Sequence, residues 1–140
     1  EDIKAYMTKA YFDGQWKEKY APLLTIQQGW LRGPDYKRIA WNSALHYDMI
    51  FNQPVVHEFP DVEVPALLII GTRDRTAVGR NRAPEEKQKE LGRYDRLGRQ
   101  AAEAIPDAKL VELEGIGHVP QYEAYDDYIE ALTDFLAAQR

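Results

Sequence analysis

The chain has 140 residues, enough for one ordinary domain, with 44% hydrophobic and 29% charged residues, a globular balance and not that of a disordered segment. Its 18 Lys and Arg against 23 Asp and Glu leave a net charge of −5, which argues against a nucleic-acid partner because phosphate binding needs a basic face. No apolar run approaches the roughly 20 residues of a membrane span, and the absence of Cys excludes disulfides, thiolate metal sites and a cysteine nucleophile.

From the amino terminus to about residue 60 the pattern is helical. Ile3, Tyr6, Met7, Ala10 and Tyr11 recur at spacings of three and four, which places them on one helical face ending at Gly14. A second helix is expected over about residues 15–31, with Pro22 as an interruption or kink. Gly33-Pro34 is a strong break, and Pro34 opens a third helix to about Phe51 with Tyr36, Ile39, Ala40, Ser43 and Tyr47 on one side. All three tryptophans, Trp16, Trp30 and Trp41, fall in this front part, and Trp16, Trp30, Trp41 and Tyr47 are candidates to line an apolar pocket.

The back part, about 61–140, changes character. Ala66-Leu67-Leu68-Ile69-Ile70, bounded by Pro65 and Gly71, reads as a central strand covered on both faces. After a loop over 72–84, Leu91, Tyr94, Leu97, Ala101, Ala104 and Ile105 follow at helical spacing until Pro106. Ala108–Leu113, with Lys109 and Glu112 interleaved, reads as a second strand nearer a sheet edge. Gly115–Pro120 forms a turn, and a last helix over about 121–139 buries Tyr125, Ile129, Leu132, Phe135 and Leu136. Strand, helix, strand, helix implies a parallel pair with a right-handed crossover. Two parallel strands are not stable alone, so the chain reads as part of a larger sheet whose remainder lies elsewhere.

In open α/β sheets, reacting groups collect on loops at the carboxyl ends of strands. Two loops qualify: Gly71-Thr72-Arg73-Asp74-Arg75-Thr76 and Gly115-Ile116-Gly117-His118. Adjacent parallel strands would bring Asp74 to His118. A carboxylate beside an imidazole accepts its Nδ1 proton, fixes the tautomer and leaves Nε2 as a general base. The plainer alternative makes Asp74 a surface acid paired with Arg73 or Arg75. Ser43, the single serine, sits in a helical pattern without glycine and reads as a small residue on a packed helical face. His46 reads as a solvent or packing residue and His57 as part of a connector; no two histidines have the spacing of a metal site.

These motifs resemble the C-terminal portion of the α/β-hydrolase fold. That family carries an acid in an Ile-Ile-Gly-x-x-Asp pattern, here Ile69 to Asp74. Its histidine sits in Gly-x-Gly-His-x-Pro-x-x-Glu, matched by Gly115, Gly117, His118, Pro120 and Glu123. The resemblance covers about 61–140. It implies parallel strands with flanking helices, Asp74 as triad acid and His118 as general base, and a front part (1–60) similar to the family's helical cap. The nucleophile elbow Gly-x-Ser-x-Gly and the oxyanion loop have no counterpart here. The resemblance therefore implies a partner, the missing N-terminal half of the fold, that supplies both. It further implies hydrolysis of a small apolar substrate, a carboxylic ester first, with no metal or organic cofactor required. Epoxide hydrolases and haloalkane dehalogenases, with an aspartate nucleophile on the missing half, and a non-catalytic binder of the same fold are the alternatives. With no membrane span in the pattern a soluble protein is expected; the chain begins at Glu1 without Met and a targeting segment could have been removed, so cytoplasm and periplasm are both open.

Overall fold

The computed structural model describes residues 2–139. It is a mixed α/β arrangement built on a two-stranded parallel sheet. The chain opens with α1 (Ile3–Tyr11), whose first turn is capped by the Asp2 carboxylate accepting from the Lys4 amide at 2.9 Å. Residues 15–17 are not helical. A 3-10 turn (Glu18–Tyr20) leads into α2 (Ala21–Arg32), so Pro22 lies in the first turn of a helix and not within one. The expected kink is absent because that position has no intrahelical N–H bond to lose. Helix α3 (Tyr36–Asn52) follows the Gly33-Pro34 break, and 3-10 turns over Val55–Asp61 carry the chain to the sheet.

The strands are β1 (Ala66–Gly71) and β2 (Ala108–Leu113), in register from Ala66 opposite Ala108 to Gly71 opposite Leu113. Between them lie a 3-10 turn (Arg80–Arg82), the short α4 (Glu85–Gln88) and the crossover helix α5 (Tyr94–Ala104). Leu91 precedes α5 instead of joining it. The last helix expected from sequence is two: α6 (Pro120–Glu123) and α7 (Tyr125–Ala138), broken at Ala124. At the break the freed Glu123 carbonyl accepts from the Lys19 ammonium at 2.9 Å across the molecule. On α7, Ile129, Leu132 and Phe135 are half-buried as their spacing requires, whereas Tyr125 and Leu136 are exposed and Tyr128 takes a half-buried place.

The core lies beside the sheet, around the amino-terminal segment. Met7, Phe12 and Tyr20 are buried, and Val119 and Tyr122 pack against them from the far end of the chain. The Phe12 and Tyr20 rings are parallel at 3.6 Å, and Trp16 meets each edge-on at 5.9 Å. Residues 7–20 are thereby fixed to the segment that follows β2. By contrast α3 buries no side chain, and Trp41 on it is 66% exposed. Strand β1 pairs with β2 alone among the described residues, and Leu67–Ile70 are only half-buried. An apolar groove of about 270 Å³ runs over Leu68 and Ile70, walled by Phe59, Leu97 and Ala101. A strand expected to be covered on both faces is covered only in part.

Candidate functional site

Parallel pairing puts the carboxyl ends of β1 and β2 on the same side, and the ladder continues past both strands. The Thr72 amide donates to the Leu113 carbonyl at 3.1 Å and the Arg73 amide to the Ile116 carbonyl at 3.0 Å. The Gly115 amide donates back to the Thr72 hydroxyl at 3.0 Å. Two loops that would otherwise wander are thus joined for several residues.

At their tips His118 Nδ1 lies 2.8 Å from Asp74 Oδ2. The pair proposed by motif and topology is therefore brought together across 44 positions of sequence. The Asp74 side chain is 8% exposed and that of His118 is 37% exposed, so the acid is sheltered while the imidazole reaches solvent. Among the described residues only Nδ1 of the ring is hydrogen-bonded, which leaves Nε2 open to a ligand. Burial pushes the Asp74 carboxyl up, but hydrogen bonds from His118 and the Thr76 amide, together with the nearby imidazole, outweigh it. The carboxyl is held below its ordinary value of 3.8 and is ionised at neutral pH.

Three features that local sequence did not reveal hold this pair. Thr76 donates its amide to Asp74 Oδ1 at 2.8 Å and places its hydroxyl 2.9 Å from His118 Nδ1. Arg73 does not pair with Asp74. Its guanidinium bonds the Gly115 carbonyl through Nε at 2.8 Å, reaches the Tyr11 carbonyl and forms an ion pair with Glu123. Glu123 in turn accepts the Gly117 amide at 2.7 Å. Arg75 likewise turns away, to the Thr72 and Asp74 carbonyls and to Asp95. The surface-acid alternative for Asp74 is overturned: both flanking arginines have other partners.

The third feature is Tyr11, whose ring covers His118 with centroids 4.8 Å apart. Burial raises its hydroxyl above the usual 10.0, with Tyr6 and the Asp74 charge adding to the effect. Gly117 is the contact that permits this approach, since a Cβ there would collide with the Tyr11 carbonyl. The aromatic neighbour of His118 is therefore Tyr11, while Trp16 belongs to the Phe12–Tyr20 cluster and Trp30, Trp41 and Tyr47 are exposed. Phe51, at the end of α3, is the residue that meets the acid loop, at Gly79.

Ser43 lies exposed on α3 with its hydroxyl donating to the Ile39 carbonyl at 2.9 Å, so its side chain faces its own helix and not a packed surface. His46 and His57 are exposed, away from the pair. Among the described residues no three of His, Asp and Glu are grouped as a metal site would require, and no helix is long and apolar enough to cross a membrane.

No protein-family model matches the chain, and no curated protein matches it. It is similar to a crystal structure of a probable hydrolytic enzyme from Pseudomonas aeruginosa PAO1, at 43% identity and a TM-score of 0.89. The match covers 96% of this chain and 43% of that one. The chain thus spans under half the length of the protein it resembles.

Proposed function

We propose that the chain is the acid-and-base portion of an α/β-hydrolase, with residues 1–60 serving as its helical cap and 61–140 as the C-terminal part of its core. The observation that carries the reading is the 2.8 Å contact of His118 Nδ1 with a sheltered Asp74 carboxylate, with the opposite ring edge open. The hydrolytic neighbour supports the reaction class. Its greater length and the unpaired edge of β1 support a partner segment that completes the sheet and supplies a nucleophile and an oxyanion hole.

In that assembly Nε2 takes the nucleophile's proton as its oxygen attacks the carbonyl of a small apolar ester. The imidazolium passes this proton to the leaving alcohol. Nε2 then takes a proton from the water that cleaves the acyl intermediate. Asp74 holds Nδ1 protonated throughout and stabilises the imidazolium. The test is His118→Ala in the completed enzyme, assayed on p-nitrophenyl esters. A fall in kcat of roughly 10⁴–10⁶ is expected. Retention of most of the activity would remove His118 as the base. Activity of this chain by itself, lost in Ser43→Ala, would overturn the placement of the nucleophile on the partner.

A further inference from the structure

We infer that Thr76 is a positioning residue of this site: its amide holds the Asp74 carboxylate, its hydroxyl sits at His118 Nδ1, and the hydroxyl fixes the plane of the imidazole. The inference deepens the hydrolase reading and rests on it.

Nδ1 has two oxygen neighbours, Asp74 Oδ2 at 2.8 Å and Thr76 Oγ1 at 2.9 Å, and can carry one hydrogen. If Nδ1 were bare, its lone pair would point at an ionised carboxylate, an arrangement of two acceptors with nothing between them. Nδ1 is therefore the protonated nitrogen. The Thr76 hydroxyl then cannot donate to it and must present a lone pair, sharing the N–H with the carboxylate. The hydroxyl and Asp74 Oδ2 thus share one N–H, while the Thr76 amide holds the carboxylate's other oxygen at 2.8 Å.

A threonine two residues after an aspartate also has a purely local use, an Asx turn in which the amide caps the carboxylate. That use is present here, in the 2.8 Å bond from the Thr76 amide to Asp74 Oδ1. It needs no side chain, however, and any residue could make it. The hydroxyl at Nδ1 is additional, and it is held where it is from several sides. Arg75 bonds the Thr72 and Asp74 carbonyls at 2.9 and 2.6 Å, and Arg80 bonds the Arg75 carbonyl at 2.6 Å. Gly92 lies so close beneath that a Cβ there would stand 2.5 Å from the Thr76 carbonyl and 2.7 Å from that of Arg75. The Thr76 backbone therefore has little room to swing its hydroxyl away. The same geometry excludes the hydroxyl as the nucleophile, since it lies at Nδ1 and not at the open Nε2.

The ring so held has few other constraints. Tyr11 covers one face, and more than a third of the side chain is exposed. With Asp74 alone the imidazole could rock about the Nδ1 to Oδ2 axis and carry Nε2 with it. A second oxygen at Nδ1 resists that motion.

The experiment compares Thr76→Val, which keeps the shape and removes the hydroxyl, with Thr76→Ser, which keeps the hydroxyl, both in the completed enzyme. Hydrolysis of p-nitrophenyl acetate and the far-downfield proton resonance of His118 Nδ1–H are the readouts. Thr76→Val is expected to lower kcat by roughly tenfold to a hundredfold with KM within about twofold, the scale of a lost bond to a charged group. The resonance should move with it, and Thr76→Ser should restore both. A Val variant with unchanged kcat and an unmoved resonance would overturn the inference. If Thr76→Val does not fold, Thr76→Ala against Thr76→Ser carries the same comparison. His118→Ala separates the two ideas: if it stays active His118 is not the base, and the Nδ1–H resonance of the Thr76 variants, which keep His118, still decides whether the hydroxyl holds the ring.

Discussion

Glu123→Gln is the sharpest probe of what holds the two loops together. Both carboxylate oxygens of Glu123 are in use: Oε1 pairs with Arg73 and Oε2 accepts the Gly117 amide at 2.7 Å. Both are acceptor roles. An amide has one acceptor oxygen, so whichever way it turns, its NH2 faces either the guanidinium or the Gly117 N–H. One charge-assisted bond is lost and two donors are set against each other. A bond to a charged group contributes about 1.5–3 kcal/mol. The Glu123 side chain is 13% exposed and that of Arg73 25%, so water can partly replace what is lost, and about 2 kcal/mol is the reasonable figure. In a completed enzyme of roughly 300 residues, the size that the 43% coverage implies, that is a fall in Tm of about 3 °C. The damage should also reach the chemistry, because Gly117 precedes His118 and Arg73 precedes Asp74. A shift of the imidazole by a fraction of an ångström is expected to lower kcat more than it raises KM. Differential scanning fluorimetry and p-nitrophenyl ester hydrolysis on the completed enzyme read the two effects. An unchanged Tm together with an unchanged kcat would refute the reasoning, since it would mean the loops keep their geometry without this clamp.

Two further outcomes are expected. Asp74→Asn should lower kcat far more than substrate binding, because an amide can donate to Nδ1 and stabilise the wrong tautomer; a change in thermal stability alone would make Asp74 a structural acid. Asp95, bonded by Arg93 at 2.7 and 3.0 Å, has its carboxyl lowered from 3.8 to about 2. A lowered folded-state value means stability that is fully present above pH 3.8 and is lost as the pH falls through about 2. Denaturant unfolding across that window should show the gap between parent and Asp95→Asn closing toward the acid end, and a constant gap would remove Asp95 from the acid response.

What was legible in the sequence was whatever local chemistry enforces. Both strands were readable because β1 is a short apolar run between Pro65 and Gly71 and β2 is cut off by Pro106 and Gly115. The meeting of Asp74 and His118 followed from strand order, since parallel neighbours share an end. The misjudged features depend on groups far away in the chain. Nothing around Ala124 announces a helix break, and the group that meets the freed Glu123 carbonyl there, Lys19, lies over a hundred positions earlier. Nothing around Tyr11 marks it as the roof of His118, because its spacing fits the core face of α1 equally well. Thr76 was invisible for another reason. Its side chain acts on a neighbour that only the fold supplies, and a loop threonine after an aspartate already has a local explanation.

The same register that assembles the pair also fixes how much of the site one chain can hold. Asp74 lies three residues beyond Gly71 and His118 five beyond Leu113, and those two end residues are partners in the ladder. The cross-links from Thr72, Arg73 and Gly115 carry the pairing outward, so the two loop tips already lie side by side where Asp74 and Thr76 take hold of the imidazole. A slip of one residue in β2 would break the Thr72 and Arg73 cross-links and draw His118 away from Asp74 and Glu123 away from Arg73 at the same time. The acid, the base and the clamp therefore stand or fall together with one strand pairing. On its other edge, among the described residues, β1 has no strand partner, so a further parallel strand could join the sheet there without disturbing the β2 register that holds Asp74 and His118 together.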